Sequence, residues 1–182
     1  MPKIIDGIKE NIFTTAKTIL FEEGYTALTL RTVAKRCAIS VGTIYNYFPN
    51  KLMLVASIMA EDWHTVLETT DGKILAARGI DDGLFAIYEG ICSFCTTYEP
   101  IWNQYNAMGA TQGMIGGRHS LLRGQIACRV DALIARFRPN ADLALTDLFA
   151  ECVIAAAMQK DISYDLLSKM CLRIYADHDT TL

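Results

Sequence analysis

Residues 29–51 read TLRTVAKRCAISVGTIYNYFPNK, and this stretch decides the fold. Leu30, Val33, Ala34 and Cys37 recur at helical spacing behind Thr29, a residue suited to cap a helix start. Ser40 caps a second short helix, VGTIYNYF, which Pro49 stops. Two short helices joined by a tight turn form the helix-turn-helix pattern. In that pattern the first helix crosses the DNA backbone and the second lies in the major groove, its N-terminal residues nearest the bases. The second helix here is short, so few side chains reach base edges, and Val41, Gly42, Thr43 and Asn46 are the candidates. Gly42 lets backbone approach closely, Thr43 offers a methyl and a hydroxyl, and Val41 suits a thymine methyl. Ser40, at the same end, is counted with them. Arg31 suits a bidentate grip on guanine or a hold on phosphate, and Tyr45 and Tyr47 carry hydroxyls fit for phosphate oxygens. Lys51 opens the next helix, where dipole and ammonium act together on an anion. Tyr45, Tyr47 and Phe48 cannot all face one side of a helix, and Phe48 is the one assigned to the core.

Outward from this stretch, almost everything reads as helix. Ile5, Ile8, Ile12, Ala16, Ile19 and Leu20 mark an amphipathic first helix that Gly24 terminates. Asn50 caps a fourth helix running from Lys51 to about residue 70, with Gly72 breaking the pattern. Further helices are expected over 81–98, from Pro100 through Tyr105, over 118–137, over 141–158 and over 162–176. The four glycines of 108–117 indicate a loop or a broken helix. The expectation is an all-α chain of about nine helices, divided into a head, 1–50, and a helical body, 51–182.

Composition narrows the classes of function. At 182 residues and 52% hydrophobic, the chain can bury a core, and disorder is not expected. No apolar run approaches the ~18 residues a bilayer span needs. The opening MPKIIDGIKE lacks the apolar stretch of a signal peptide, so a cytoplasmic protein is expected. The net charge of −3 is unevenly spread. Residues 1–51 hold seven Lys/Arg against four acidic side chains (+3), and the remainder holds ten against sixteen (−6). A basic head on an acidic body is the asymmetry of a chain that meets phosphate at one end. The six cysteines are scattered through apolar or helical segments and are expected to be buried free thiols. Cys92 and Cys95 have C-x-x-C spacing, but on a helix and without a second pair, so neither a thioredoxin-like centre nor a zinc site is expected. No catalytic constellation, metal site or cofactor motif stands out, and an enzyme is not expected.

Residues 8–56 resemble the DNA-binding domain of the tetracycline-repressor (TetR) family. The resemblance rests on Ala16, Leu20, Gly24-Tyr25, Thr29 and Val33-Ala34. Its most specific portion is Ile39-Ser40-x-Gly42-Thr43-Ile44-Tyr45-x-Tyr47-Phe48-x-Asn50-Lys51. It implies that Arg31, Thr43, Tyr45, Tyr47 and Lys51 occupy DNA-contacting positions. Ala38 departs from the family's usual turn glycine, often left-handed, at a cost on the order of 1 kcal/mol. Leu52 departs from a common acidic residue in the first turn of the fourth helix.

The resemblance further implies that the body senses a ligand and dimerises. Trp63, His64, Tyr88, Tyr98, Trp102, Tyr105 and Met108 concentrate aromatic and soft side chains suited to a small apolar or aromatic effector. The last two helices are apolar over more of their circumference than internal burial needs. Leu145, Phe149, Val153 and Ala156 on one, with Leu167, Met170 and Ile174 on the other, are therefore expected at a homodimer interface. The function these readings converge on is a dimeric regulator of a pseudo-palindromic double-stranded operator, released by a small molecule through the fourth helix. Control by thiol redox or by a protein partner is the alternative, and an enzyme or redox module carrying an added DNA-binding head is the remaining one.

Overall fold

The computed structural model describes residues 7–107, 119–159 and 162–176. Among them the chain forms eight α-helices, with no strand. These are α1 (Ile8–Thr18), α2 (Leu30–Arg36), α3 (Val41–Tyr47), α4 (Lys51–Ala76), α5 (Ile80–Ala107), α6 (His119–Phe137), α7 (Thr146–Met158) and α8 (Tyr164–Ile174). No helix among the described residues is long and apolar enough to cross a membrane. The glycine-rich stretch 108–117 lies outside the described residues.

The chain divides into two compact units, Met1–His64 with Tyr98–Ala110, and Thr65–Thr97 with Thr111–Leu182. The first is the head, and it is larger than the expected 1–50. Its core takes Ile12 and Ala16 from α1, Val33 and Ala34 from α2, Ile44 from α3, and Leu54 and Ile58 from the first turns of α4. Phe13 and Phe48 pack with ring centroids 5.7 Å apart. A π-helical turn, Ile19–Glu23, extends α1; it buries Ile19 and Leu20 and sets Phe21 edge-on to Tyr98 of α5. The Tyr98 hydroxyl donates to Asp62 of α4 (2.8 Å), and Lys17 of α1 pairs with the same carboxylate. These side-chain ties, made by residues distant in sequence, carry the head's boundary past residue 50. Gly24 ends the π turn with φ 89°, a left-handed backbone that favours glycine.

In the second unit, α6 supplies Ile126, Val130, Leu133 and Ile134 to a core shared with Phe149, Ala150, Val153 and Ile154 of α7. Leu167 and Cys171 of α8 close it, and Tyr175 sets its ring edge-on to Phe149 at 5.7 Å. A Cβ on Gly83 would lie 2.2 Å from Leu133 Cδ1, so α5 and α6 meet where no side chain fits. Arg136 donates to the Ile74 and Leu75 carbonyls (2.5 and 2.9 Å), satisfying backbone acceptors at the end of α4.

Helix punctuation departs from expectation where tertiary burial outweighs local preference. α4 continues through Gly72 because Ile74 and Ala77 beyond it are buried. α5 passes through Pro100 as one helix, with buried Tyr98 and Ile101 on either side of the lost backbone donor. The expected separate helix at Pro100 is therefore part of α5, which accounts for eight helices rather than nine. α7 starts at Thr146 rather than 141, since Asp142 accepts from the Ala144 N–H (2.8 Å) in a local turn that competes with helix.

The interface residues also need correction. Phe149, Val153, Ala156 and Leu167 are at most 1% exposed within a single chain, so they are this protomer's own core. Met170 and Ile174 are half-buried, and Leu145 is exposed. The apolar residues that α7, α8 and the turn before them leave uncovered are Leu143, Leu145, Leu148, Met158, Leu166 and Leu172. None of the six cysteines is in a disulfide, but Cys171 alone of them is buried and Cys128 is exposed, so burial is not their common feature.

Candidate nucleic-acid interface

The expected caps hold the head's helices in place. Thr29 Oγ1 accepts from the Thr32 N–H (3.0 Å), and Ser40 Oγ accepts from the Thr43 N–H (3.0 Å). In each case the two hydroxyls also lie 2.8 Å apart, so both helices open with the same hydroxyl pair. Asn50 Oδ1 accepts from the Met53 N–H (2.8 Å) and starts α4. Between α2 and α3 the chain turns through Ala38 at φ 53°, the left-handed conformation anticipated there, and the Ile39 N–H returns to the Ala34 carbonyl at 3.0 Å. An L side chain in that region costs on the order of 1 kcal/mol, which the capped helices on either side hold in place.

These constraints leave α3 with two faces. Ile44 and Phe48 point into the core. Gly42 and Asn46 are exposed, Tyr45 is 52% exposed, and Val41, Thr43 and Tyr47 are half-buried. Ser40 is exposed, with its hydroxyl engaged by Thr43, so its part is to build the helix start rather than to reach outward. Arg31, exposed on α2, joins Thr29, Tyr45, Asn50 and Lys51 around a surface hollow of about 310 Å³. A guanidinium, an ammonium, hydroxyls and an amide around one hollow are the donors a phosphate takes.

Lys51 is placed differently from a lysine reaching freely into solvent. Its ammonium donates to the Tyr25 carbonyl and lies 3.6 Å from the centroid of the Tyr25 ring. Burial holds its pKa below that of a free lysine. The Tyr25 N–H in turn donates to Gln104 Oε1 of α5 at 2.8 Å. Gln104 went unnoticed in the sequence, where a lone polar residue late in a helix gives no signal.

The aromatic residues expected around an effector are not gathered into one pocket. Tyr98 is 0% exposed and belongs to the head's core, its ring between Phe21 and Trp102 and its hydroxyl on Asp62, so it cannot serve as an open anchor. Trp63 and Trp102 are half-buried and His64 is exposed, all in the head unit. Tyr88 lies in the other unit, its ring 5.3 Å from that of Tyr164. The Tyr105 side chain and Met108 lie outside the described residues. The second unit has a groove of about 430 Å³ between α4 and α5, lined by Thr65, Val66, Thr69, Thr70, Lys73, Glu89, Gly90 and Ser93. None of the expected aromatic residues lines it. Among the described residues, no three His, Cys, Asp or Glu side chains converge as a metal site would require.

Two short capped helices joined by a tight turn, the second with one solvent face, make a helix-turn-helix. Residues 12–58 match the family described as bacterial regulatory proteins, tetR family. Over those residues the chain is similar to the TetR family of DNA-binding regulators. It is 34% identical over 68 residues to the HTH-type transcriptional repressor KstR of Mycolicibacterium smegmatis, a match covering 37% of this chain and 33% of that one. The match thus spans about a third of that repressor's length. Against the HTH-type transcriptional regulator UidR of Escherichia coli (strain K12), it is 22% identical over 169 residues, 93% of this chain and 76% of that one. The structure of RolR without ligand superposes with a TM-score of 0.62 at 19% identity, over 91% of this chain and 89% of RolR. That likeness establishes the fold from head to body.

Proposed function

We propose that the protein is a sequence-specific DNA-binding transcriptional repressor, acting as a homodimer on a pseudo-palindromic operator and released from it by a small-molecule effector. The observation that carries this reading is the solvent face of α3, with Gly42, Thr43, Tyr45 and Asn46 beside a hollow lined by Arg31 and Lys51. In this arrangement Val41, Gly42, Thr43 and Asn46 meet base edges, while Arg31, Tyr45, Tyr47 and Lys51 hold the backbone. One helix of seven residues reads too few bases for specificity, which favours two heads on two half-sites. The uncovered Leu145, Leu148, Leu166 and Leu172 are apolar surface that a second copy would bury. Effector control is proposed as a population shift between forms that do and do not match successive grooves. The half-buried Trp63 and Trp102 are the aromatic residues best suited to report an apolar effector.

Fluorescence anisotropy of labelled duplexes against salt concentration tests the role of Lys51. Each phosphate contact contributes a slope of about −0.9 in log K against log salt. Lys51→Ala should weaken binding to operator and to random duplex alike and reduce the dimer's slope by about two, one contact per subunit. A Lys51→Ala protein with altered base preference and undiminished affinity would show that Lys51 reads bases instead.

A further inference from the structure

We propose that Gln104, on α5 and outside the helix-turn-helix, is a positioning residue for DNA binding, because it fixes the residue that aims the Lys51 ammonium. The inference rests on the reading of the head as a DNA-binding surface.

Three contacts make the chain. First, Gln104 Oε1 accepts from the Tyr25 N–H at 2.8 Å across 79 residues of sequence. The same amide lies over Gly24, where a Cβ would meet Gln104 Oε1 and Nε2 at 3.2 and 3.3 Å. The left-handed turn at Gly24 and the side chain covering it are therefore fitted to each other, and Tyr25, which follows, is buried. Second, Tyr25 supplies both holds on Lys51, its carbonyl accepting from the ammonium and its ring lying 3.6 Å beneath it. Third, Lys51 lines the hollow with Arg31, Tyr45 and Asn50.

A lysine on its flexible four-carbon stem loses much rotamer freedom when it is fixed on a phosphate. Held in advance by Tyr25, Lys51 has given up much of that freedom before DNA arrives, so binding is stronger than with a mobile ammonium. The hold depends on where the Gly24–Tyr25 backbone sits, and Gln104 determines that. The residue that tunes the head's grip thus lies near the end of α5, whose N-terminal part, through Thr97, belongs to the other unit.

A double-mutant cycle on the full chain tests this, with anisotropy of an operator duplex and a random duplex as the readout and thermal melting run alongside. Gln104→Met keeps the length and removes the acceptor. Gln104→Ala, which adds no methyl against Gly24, is run beside it in case Met disturbs the turn. Each should bind both duplexes about fivefold more weakly per head and so about 25-fold for the dimer, the worth of roughly one hydrogen bond in each subunit. In a Lys51→Ala background the same changes should cost nothing further. Unchanged affinity in both Gln104 variants would overturn the proposal. So would a loss that persists undiminished without Lys51, since Gln104 would then act only on general stability. Failure of the wild-type chain to bind any duplex would overturn the reading of the head itself, and this proposal with it; failure of the proposal alone leaves wild-type binding intact.

Discussion

Gly42→Leu is expected to fold as well as the wild type and to bind its operator at least about thirtyfold more weakly. Nothing in the protein opposes the new side chain, since a Cβ at Gly42 would find only Ser40 Oγ, at 3.7 Å. Gly42 lies in the first turn of α3, and leucine is favoured over glycine in a helix by up to about 1 kcal/mol, so the melting temperature should hold or rise slightly. The cost falls on the complex. Gly42 is exposed at the end of α3 assigned to the bases, and a leucine there fills the space through which the backbone approaches the groove. Losing two base contacts of about 1–3 kcal/mol each gives a loss of about thirtyfold or more. Melting and anisotropy on one preparation separate the two effects. Wild-type affinity in Gly42→Leu would mean that the N-terminal end of α3 does not face DNA.

Tyr98→Ala should destabilise the protein by about 3–5 kcal/mol, the range for truncating a large buried aromatic residue. Its ring sits 5.6 Å from Phe21 and 6.3 Å from Trp102, with no exposed surface. Burial, with the hydrogen bond to Asp62 second, pushes the hydroxyl's pKa far above the usual tyrosine range, so it remains a donor. Tyr98→Phe keeps the ring and leaves Asp62 paired with Lys17, so it should cost only about 1 kcal/mol. For a chain of this size 1 kcal/mol moves the midpoint by roughly 2–4 °C, so the two variants separate clearly by calorimetry or circular dichroism. A Tyr98→Ala protein melting within a degree or two of the wild type would show that the side chain is a replaceable pocket wall rather than core.

The contrast between these residues shows what can be read from one sequence. Thr29, Ser40 and Asn50 were legible because a cap is local: a short polar side chain satisfies an N–H three residues on, and the apolar run behind it marks the helix. Gly24 was legible for the same reason, whereas the left-handed turn at Ala38 was expected only from the resemblance to a family that usually has glycine there. Gly72 and Pro100 misled because their local penalties are small beside the burial of Ile74, Tyr98 and Ile101 around them. The stripe on α7 was visible as apolar, but a stripe does not say what covers it. Here α6 of the same chain covers Phe149 and Val153, and the uncovered residues lie elsewhere on the helix. Tyr98 resembled a pocket residue because residue type alone does not separate a buried hydroxyl paired with Asp62 from an open one. Gln104 and the turning of Lys51 onto Tyr25 depend on residues distant in sequence meeting within the head, which no periodicity encodes.

Selection of bound fragments from a pool of random-sequence duplex DNA tests the DNA-reading role of α3 most directly. The expected result is enrichment of two inverted half-sites centred about one helical turn apart, with affinity falling steeply as salt rises. A pool that stays random through the selection, with no duplex retained above background at low salt, would contradict it.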